Sequence, residues 1–144
     1  MKAIASEWVA KAEQDFAVAE RESRVRKNPA YDAVCFHSQQ CAEKYLKARM
    51  AEAGLSIPKT HDLALLLSQV ASLEPGWALF RPALTFLSDF AVEFRYPGEP
   101  AEKTTATMAA KHCQQFRQAA RLSLGLPCAP GKSRRRRAPR KRGG

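Results

Sequence analysis

Apolar residues recur at intervals of three and four along most of the chain, with charged residues between them. From Ser6 to Val25, Trp8, Val9, Ala12, Phe16 and Ala19 mark one stripe, while Glu7, Glu13, Glu20 and Glu22 take other faces, the pattern of an amphipathic helix. Ser6 suits its N-cap, with Glu7 in the first turn. Asn28-Pro29 punctuates the chain, because proline disfavours helix in the residue before it and suits a first helical turn. A second helix is predicted over 30–53, stopping at Gly54, a natural left-handed cap. Val34, Cys41, Tyr45 and Ala48 form its stripe, and Phe36, Leu46 and Met50 widen the apolar surface, which marks it as the central helix. After Ile57-Pro58, Thr60 caps a short third helix carrying Leu63, Leu66, Leu67 and Val70, which ends before Pro75-Gly76. The fourth segment, Ala78 to Phe94, places Phe80, Leu84, Leu87, Phe90 and Phe94 at helical spacing, with Pro82 in the first turn. Pro97-Gly98 and Pro100 close it, and a last helix is predicted from Ala101 to Leu124, with Ala106, Ala109, Cys113, Phe116 and Ala120 inward and Gly125 and Pro127 as its stop.

No segment alternates apolar and polar residues in the manner of a strand. Connections of roughly three to seven residues make sequential helices neighbours. The expected fold is therefore all-α, an antiparallel four- to five-helix up-and-down bundle over residues 1–126, followed by a disordered basic C-terminal tail over 127–144. Trp8, Phe16, Phe36, Phe80, Phe90, Phe94 and Phe116 sit at helical spacing and are expected in the core.

Composition narrows the function classes. With 144 residues, 45% hydrophobic and 26% charged, the chain closes one ordinary core. No apolar run reaches the roughly 18 residues of a membrane span. The first turns are interrupted by Glu7, Lys11, Glu13 and Asp15, unlike a signal peptide, so a cytoplasmic protein with no membrane partner is expected. Cys35, Cys41, Cys113 and Cys128 are too scattered for a disulfide framework. Without a Cys-x-x-Cys or a histidine pair at ligand spacing, neither a metal nor another cofactor is expected. The formal charge of +10 is unevenly placed. Lys132, Arg134, Arg135, Arg136, Arg137, Arg140, Lys141 and Arg142 lie in the tail beside no acid; without those eight, 16 of the 24 Lys and Arg face all 14 Asp and Glu, a core of about +2. The tail reads either as a non-specific RNA- or DNA-binding arm or as a solubilising one, and the absence of Tyr, Phe or Trp within it limits any such binding to electrostatics.

Four groups in order resemble the HEPN family (higher eukaryote and prokaryote nucleotide-binding). They are Trp8, Ala12, Asp15 and Phe16; the run from Cys35 to Ala48 containing Gln39, Glu43, Lys44 and Lys47; Lys59-Thr60-His61-Asp62-Leu63; and Phe94-Arg95-Tyr96-Pro97-Gly98. The resemblance spans residues 6–124 and implies a helical bundle, in agreement with the periodicity. It also implies a domain that pairs with itself or with a small nucleotidyltransferase, in the manner of a toxin-antitoxin pair, and takes a nucleotide. The ribonuclease branch of the family carries an Arg followed, after four to six residues, by a His: a cation for the phosphorane charge and an imidazole to move a proton. His37, His61 and His112 are the only histidines, and none has an Arg at that distance before it. The resemblance therefore points to the non-nuclease branch, with no catalytic residue carried over. A divergent ribonuclease, or an RNA-binding protein acting through the tail, is the alternative.

Gln39, Glu43 and Lys47, four residues apart, form one polar stripe on the second helix. Read as structure, Glu43 and Lys47 are an exposed ion pair of a few tenths of a kcal/mol. Read as function, they line a groove with His61, Arg95 and Tyr96, in which an arginine holds phosphate and a ring stacks on a base. His61 has the same two readings, a residue fixing the turn before the third helix or a hydrogen-bonding group of that groove.

Overall fold

The structure, a computed structural model, describes residues 1–92 and 98–128. Helix α1, Ala3–Ser23, buries Ala5, Val9, Ala12, Phe16 and Ala19 on one stripe. It begins one turn earlier than the periodicity suggests: Ser6 is interior, its N–H bonding Lys2 O, while the Lys2 N–H donates to Glu52 Oε1 at 2.8 Å. The start of α1 is thus fixed by the end of α2, Tyr31–Glu52, and the two form an antiparallel hairpin. Thirteen of the 22 residues of α2 are buried, which makes it the central helix the sequence suggests. It stops at Gly54, where φ is +75° and the Leu55 N–H reaches back to Met50 O, a turn that a side chain would strain.

Helix α3, Leu63–Val70, is capped by Asp62, not Thr60: Asp62 Oδ1 accepts from the N–H groups of Ala64 (3.0 Å) and Leu65 (3.2 Å), and Thr60 Oγ1 in turn accepts from the Asp62 N–H. The single fourth helix expected over 78–94 is two elements. A 3-10 turn, Pro75–Phe80, precedes α4, Arg81–Ser88. Pro82 has no N–H and tolerates only a first turn, so α4 starts beside it and the residues before it wind separately. The α4 helix then ends at Ser88, whose hydroxyl accepts from the Leu63 N–H at 2.7 Å and pins the end of α4 to the start of α3. Phe94, expected on the same helix, lies outside the described residues.

Helix α5, Lys103–Ser123, closes the bundle, and alanines at 106, 109 and 120 let it lie close to α2. Asp32 Oδ1 accepts from the Ala101 N–H at one end, and Arg121 donates to the Tyr45 hydroxyl at 2.9 Å toward the other. α5 therefore runs beside α2 in the same sense and antiparallel to α1 and α4. Phe116 is fully buried beneath Trp77 and Phe80, with ring centroids at 5.0 and 5.4 Å. Trp77, which the sequence places in a connection, is a core residue at 5% exposure, whereas Trp8, Phe36 and Phe80 are only partly buried. Cys41 and Cys113 are buried as expected. All described elements are helical, and none of the described helices is long and apolar enough to cross a membrane.

Candidate functional site

The polar stripe of α2 is not an exposed one. Glu43 is 4% and Lys47 6% exposed, and Gln39 is fully buried. Both oxygens of the Glu43 carboxylate are occupied. Oε1 accepts from Gln39 Nε2 at 3.0 Å and faces His61 Nδ1 at 2.9 Å; Oε2 accepts from Lys47 Nζ at 2.9 Å. Gln39 also donates to the His61 carbonyl at 3.3 Å and accepts from Gln40 Nε2 at 2.7 Å, so the loop before α3 is laced to α2. The Lys47 ammonium stands 5.6 Å from the centroid of the Trp8 ring, which covers it from α1. Burial pushes the Glu43 carboxyl up, but the hydrogen bonds from Gln39, Lys47 and His61, together with the Lys47 charge, outweigh it and hold the group below its ordinary value.

Four of the six proposed groove residues, Gln39, Glu43, Lys47 and His61, therefore converge on one cluster. Arg95 and Tyr96 lie outside the described residues, as do Lys132, Arg134, Arg135, Arg136, Arg137, Arg140, Lys141 and Arg142 of the tail. Of the four, only His61 is open to solvent, its side chain 64% exposed. With Nδ1 against a carboxylate, that nitrogen is the donor, which leaves Nε2 as the acceptor of the ring. His61 and Asp62 line an open cleft of about 430 Å³ closed on its other side by Thr85, Ser88 and Asp89.

Two further polar clusters escaped the sequence reading. On the α1–α2 seam, Asp15, 8% exposed, binds His37 Nδ1 at 2.7 Å and Lys44 Nζ at 2.5 Å. Between α1, α2 and α5, Arg117 grips Glu13 with two hydrogen bonds (Nε to Oε2 2.7 Å, Nη2 to Oε1 2.8 Å), the Tyr45 hydroxyl donates to the same Oε2, and Arg121 donates to Tyr45. The Arg117 guanidinium lies 4.1 Å from the centroid of Phe16. Burial raises the Glu13 carboxyl, but the Arg117 and Tyr45 hydrogen bonds and the charges of Arg117 and Arg121 bring it below its ordinary value; burial and the Glu13 contact raise Tyr45. One sequence signal was available: Arg117 falls on the inward stripe of α5, between Cys113 and Ala120, where a charge requires a partner.

A profile of the HEPN domain family matches residues 5–123. The crystal structure of an archaeal HEPN homologue superposes with a TM-score of 0.68 at 23% identity, over 86% of this chain and 99% of that one, and so has the same fold. No curated protein matches the chain. With the family's profile covering the bundle from the first turn of α1 to the last residue of α5, this protein belongs to the HEPN family.

Proposed function

We propose that this HEPN domain is a non-catalytic interaction module that pairs with a small nucleotidyltransferase, as in a toxin-antitoxin pair, or with a second copy of itself, and that holds a nucleotide beside His61. The observation that supports this reading is the closure of the Glu43 carboxylate. Gln39, Lys47 and His61 engage both oxygens from inside the protein, so the carboxylate is committed to its neighbours and buried away from any substrate proton, and the Lys47 charge is spent inside the protein. In this reading Gln39, Glu43 and Lys47 shape the wall and His61 presents Nε2 to the ligand, while Arg95 and Tyr96 supply the phosphate and base contacts. The family membership supports the module itself. Calorimetric titration of the full chain with ATP, GTP and their diphosphates is expected to show binding that weakens in His61→Ala and Arg95→Ala; no heat at millimolar nucleotide discards the ligand half. Co-purification with a co-expressed nucleotidyltransferase from the same genome tests the pairing, and a light-scattering mass near the 16.0 kDa of one chain tests the homodimer.

A second reading rests on the same geometry. A buried carboxylate that holds one nitrogen of a largely exposed imidazole is the arrangement of a general base held by its partner, and Glu43 with His61 has it. A divergent ribonuclease built on that pair predicts metal-independent cleavage of single-stranded RNA that is lost in His61→Gln. Intact RNA after long incubation at high protein concentration removes it. Binding through the tail predicts that truncation after Gly125 abolishes RNA affinity and its salt slope together.

A further inference from the structure

At the end of the bundle where α1 finishes and α2 and α5 begin, a recessed cavity of about 320 Å³ opens between the three elements. Val34 and Ala106 line it deeper in, and Arg24, Arg26, Tyr31 and Lys103 are among its polar lining, with Ser23 and Thr107. The charge of this lining has one sign. No acidic side chain lines the cavity; of the acids next to its lining, Glu22 Oε2 accepts from the Ala30 N–H at 2.7 Å and Asp32 Oδ1 from the Ala101 N–H at 2.7 Å. Arg24 has a loose partner in Glu20 at 3.6 Å, while Arg26 and Lys103 have no ion pair, and the Tyr31 hydroxyl no hydrogen bond, among the described residues.

Three cations line one concavity and only Arg24 has a carboxylate within ion-pair reach, so Arg26 and Lys103 repel their neighbours, and the repulsion is relieved when an anion enters. Two guanidinium forks match a tetrahedral oxyanion, the ammonium adds a point charge, and a phenol hydroxyl donates to the same acceptors. A charge of two to three on the protein suits a dianion better than a carboxylate. The volume stands at the lower end of the range for small-ligand pockets, about 300 to 1,000 Å³, which leaves room for a small organic body on the phosphate but not for a nucleic-acid backbone passing through. The starts of α2 and α5, neither capped by a side chain, add a favourable field without being required for the argument.

We propose that this cavity is a binding site for the phosphate dianion of a small phosphomonoester, held by Arg24, Arg26 and Lys103 with Tyr31. It involves none of the residues around Glu43 and stands whether or not a nucleotide binds beside His61.

The test is calorimetric titration of the full chain, at fixed ionic strength, with inorganic phosphate, ribose 5-phosphate and ribose. Ribose 5-phosphate is expected to bind more tightly than inorganic phosphate, with ribose silent. Arg26→Ala/Lys103→Ala is expected to weaken the sugar phosphate at least tenfold, whereas His61→Gln leaves it unchanged. Both replaced residues are exposed, and an unaltered circular dichroism melt verifies the fold. Arg26→Lys, which keeps the charge and loses the fork, is expected to fall between the two. Equal binding by wild type and double variant would place the anion elsewhere on the chain and overturn the proposal, as would the absence of any heat from either phosphate. Inorganic phosphate binding as tightly as ribose 5-phosphate would overturn the monoester assignment.

Discussion

Lys47 shows how much a single residue's meaning depends on what covers it. On a bare helix, a Glu-to-Lys pair four residues apart contributes a few tenths of a kcal/mol. Here Trp8 and the His61 loop take the pair out of water, so each charge depends on the other. Breaking a buried pair from one side costs more than removing both charges, because the survivor is left without compensation. Glu43→Gln is expected to destabilise the domain by about 3 kcal/mol, since Lys47 loses its carboxylate. Lys47→Met is expected to cost less, because Glu43 keeps Gln39 and His61 as donors. The double variant should lie within about 1 kcal/mol of the wild type. Urea denaturation of the four proteins measures the coupling; additive single effects would show that Glu43 and Lys47 do not act as a pair.

At the scale of elements, α3 is the one whose existence hangs on a local device. Eight residues are too few for a helix to persist on propensity, so its apolar stripe and the Asp62 cap hold it. Asp62→Ala is expected to cost about 1 kcal/mol and to speed amide exchange at Ala64 and Leu65 before any other helix is affected. Exchange that rises equally in α1 and α5 would mean that the cap supports the whole fold and not α3. The long helices were legible for different reasons: α1 and α5 are amphipathic over five turns, and α2 and α5 end on glycines that need positive φ, Gly54 and Gly125. The 75–80 stretch was misread for a physical reason: apolar residues every three to four positions satisfy a 3-10 turn as well as an α-helix, and Pro82 decides between them only once the chain before it must pack Trp77 onto Phe116. Similarly, the Gln39, Glu43 and Lys47 stripe was visible in the sequence but its burial was not, since Trp8 and His61 arrive from other elements.

At the scale of the molecule, Glu13 and Arg117 lie 104 residues apart, and no pattern within one helix reveals that they meet. Their pair, with Tyr45 and Arg121, joins α1, α2 and α5 at a single carboxylate. The two partners are unequally placed: the Arg117 side chain is 6% exposed and that of Glu13 is 33% exposed. Removing Glu13 strands a buried guanidinium, whereas removing Arg117 leaves a carboxylate that reaches water. Glu13→Gln is therefore expected to destabilise the bundle more than Arg117→Met, even though the second also gives up the guanidinium stack on Phe16. Acid performs the Glu13 substitution by protonation. The carboxyls of Glu13 and Glu43 both titrate below their ordinary value of 4.5 in the folded protein, so between the folded and unfolded values the unfolded chain binds more protons. The stabilisation they provide is complete above the unfolded value and is lost as pH falls through the folded ones. Urea midpoints measured from pH 6 down to pH 3 should thus decline in the wild type, and the decline should be shallower in Glu13→Gln, which has already lost that contribution at neutral pH. A parallel decline in the two proteins would mean that this carboxylate does not couple the three helices and that acid acts elsewhere.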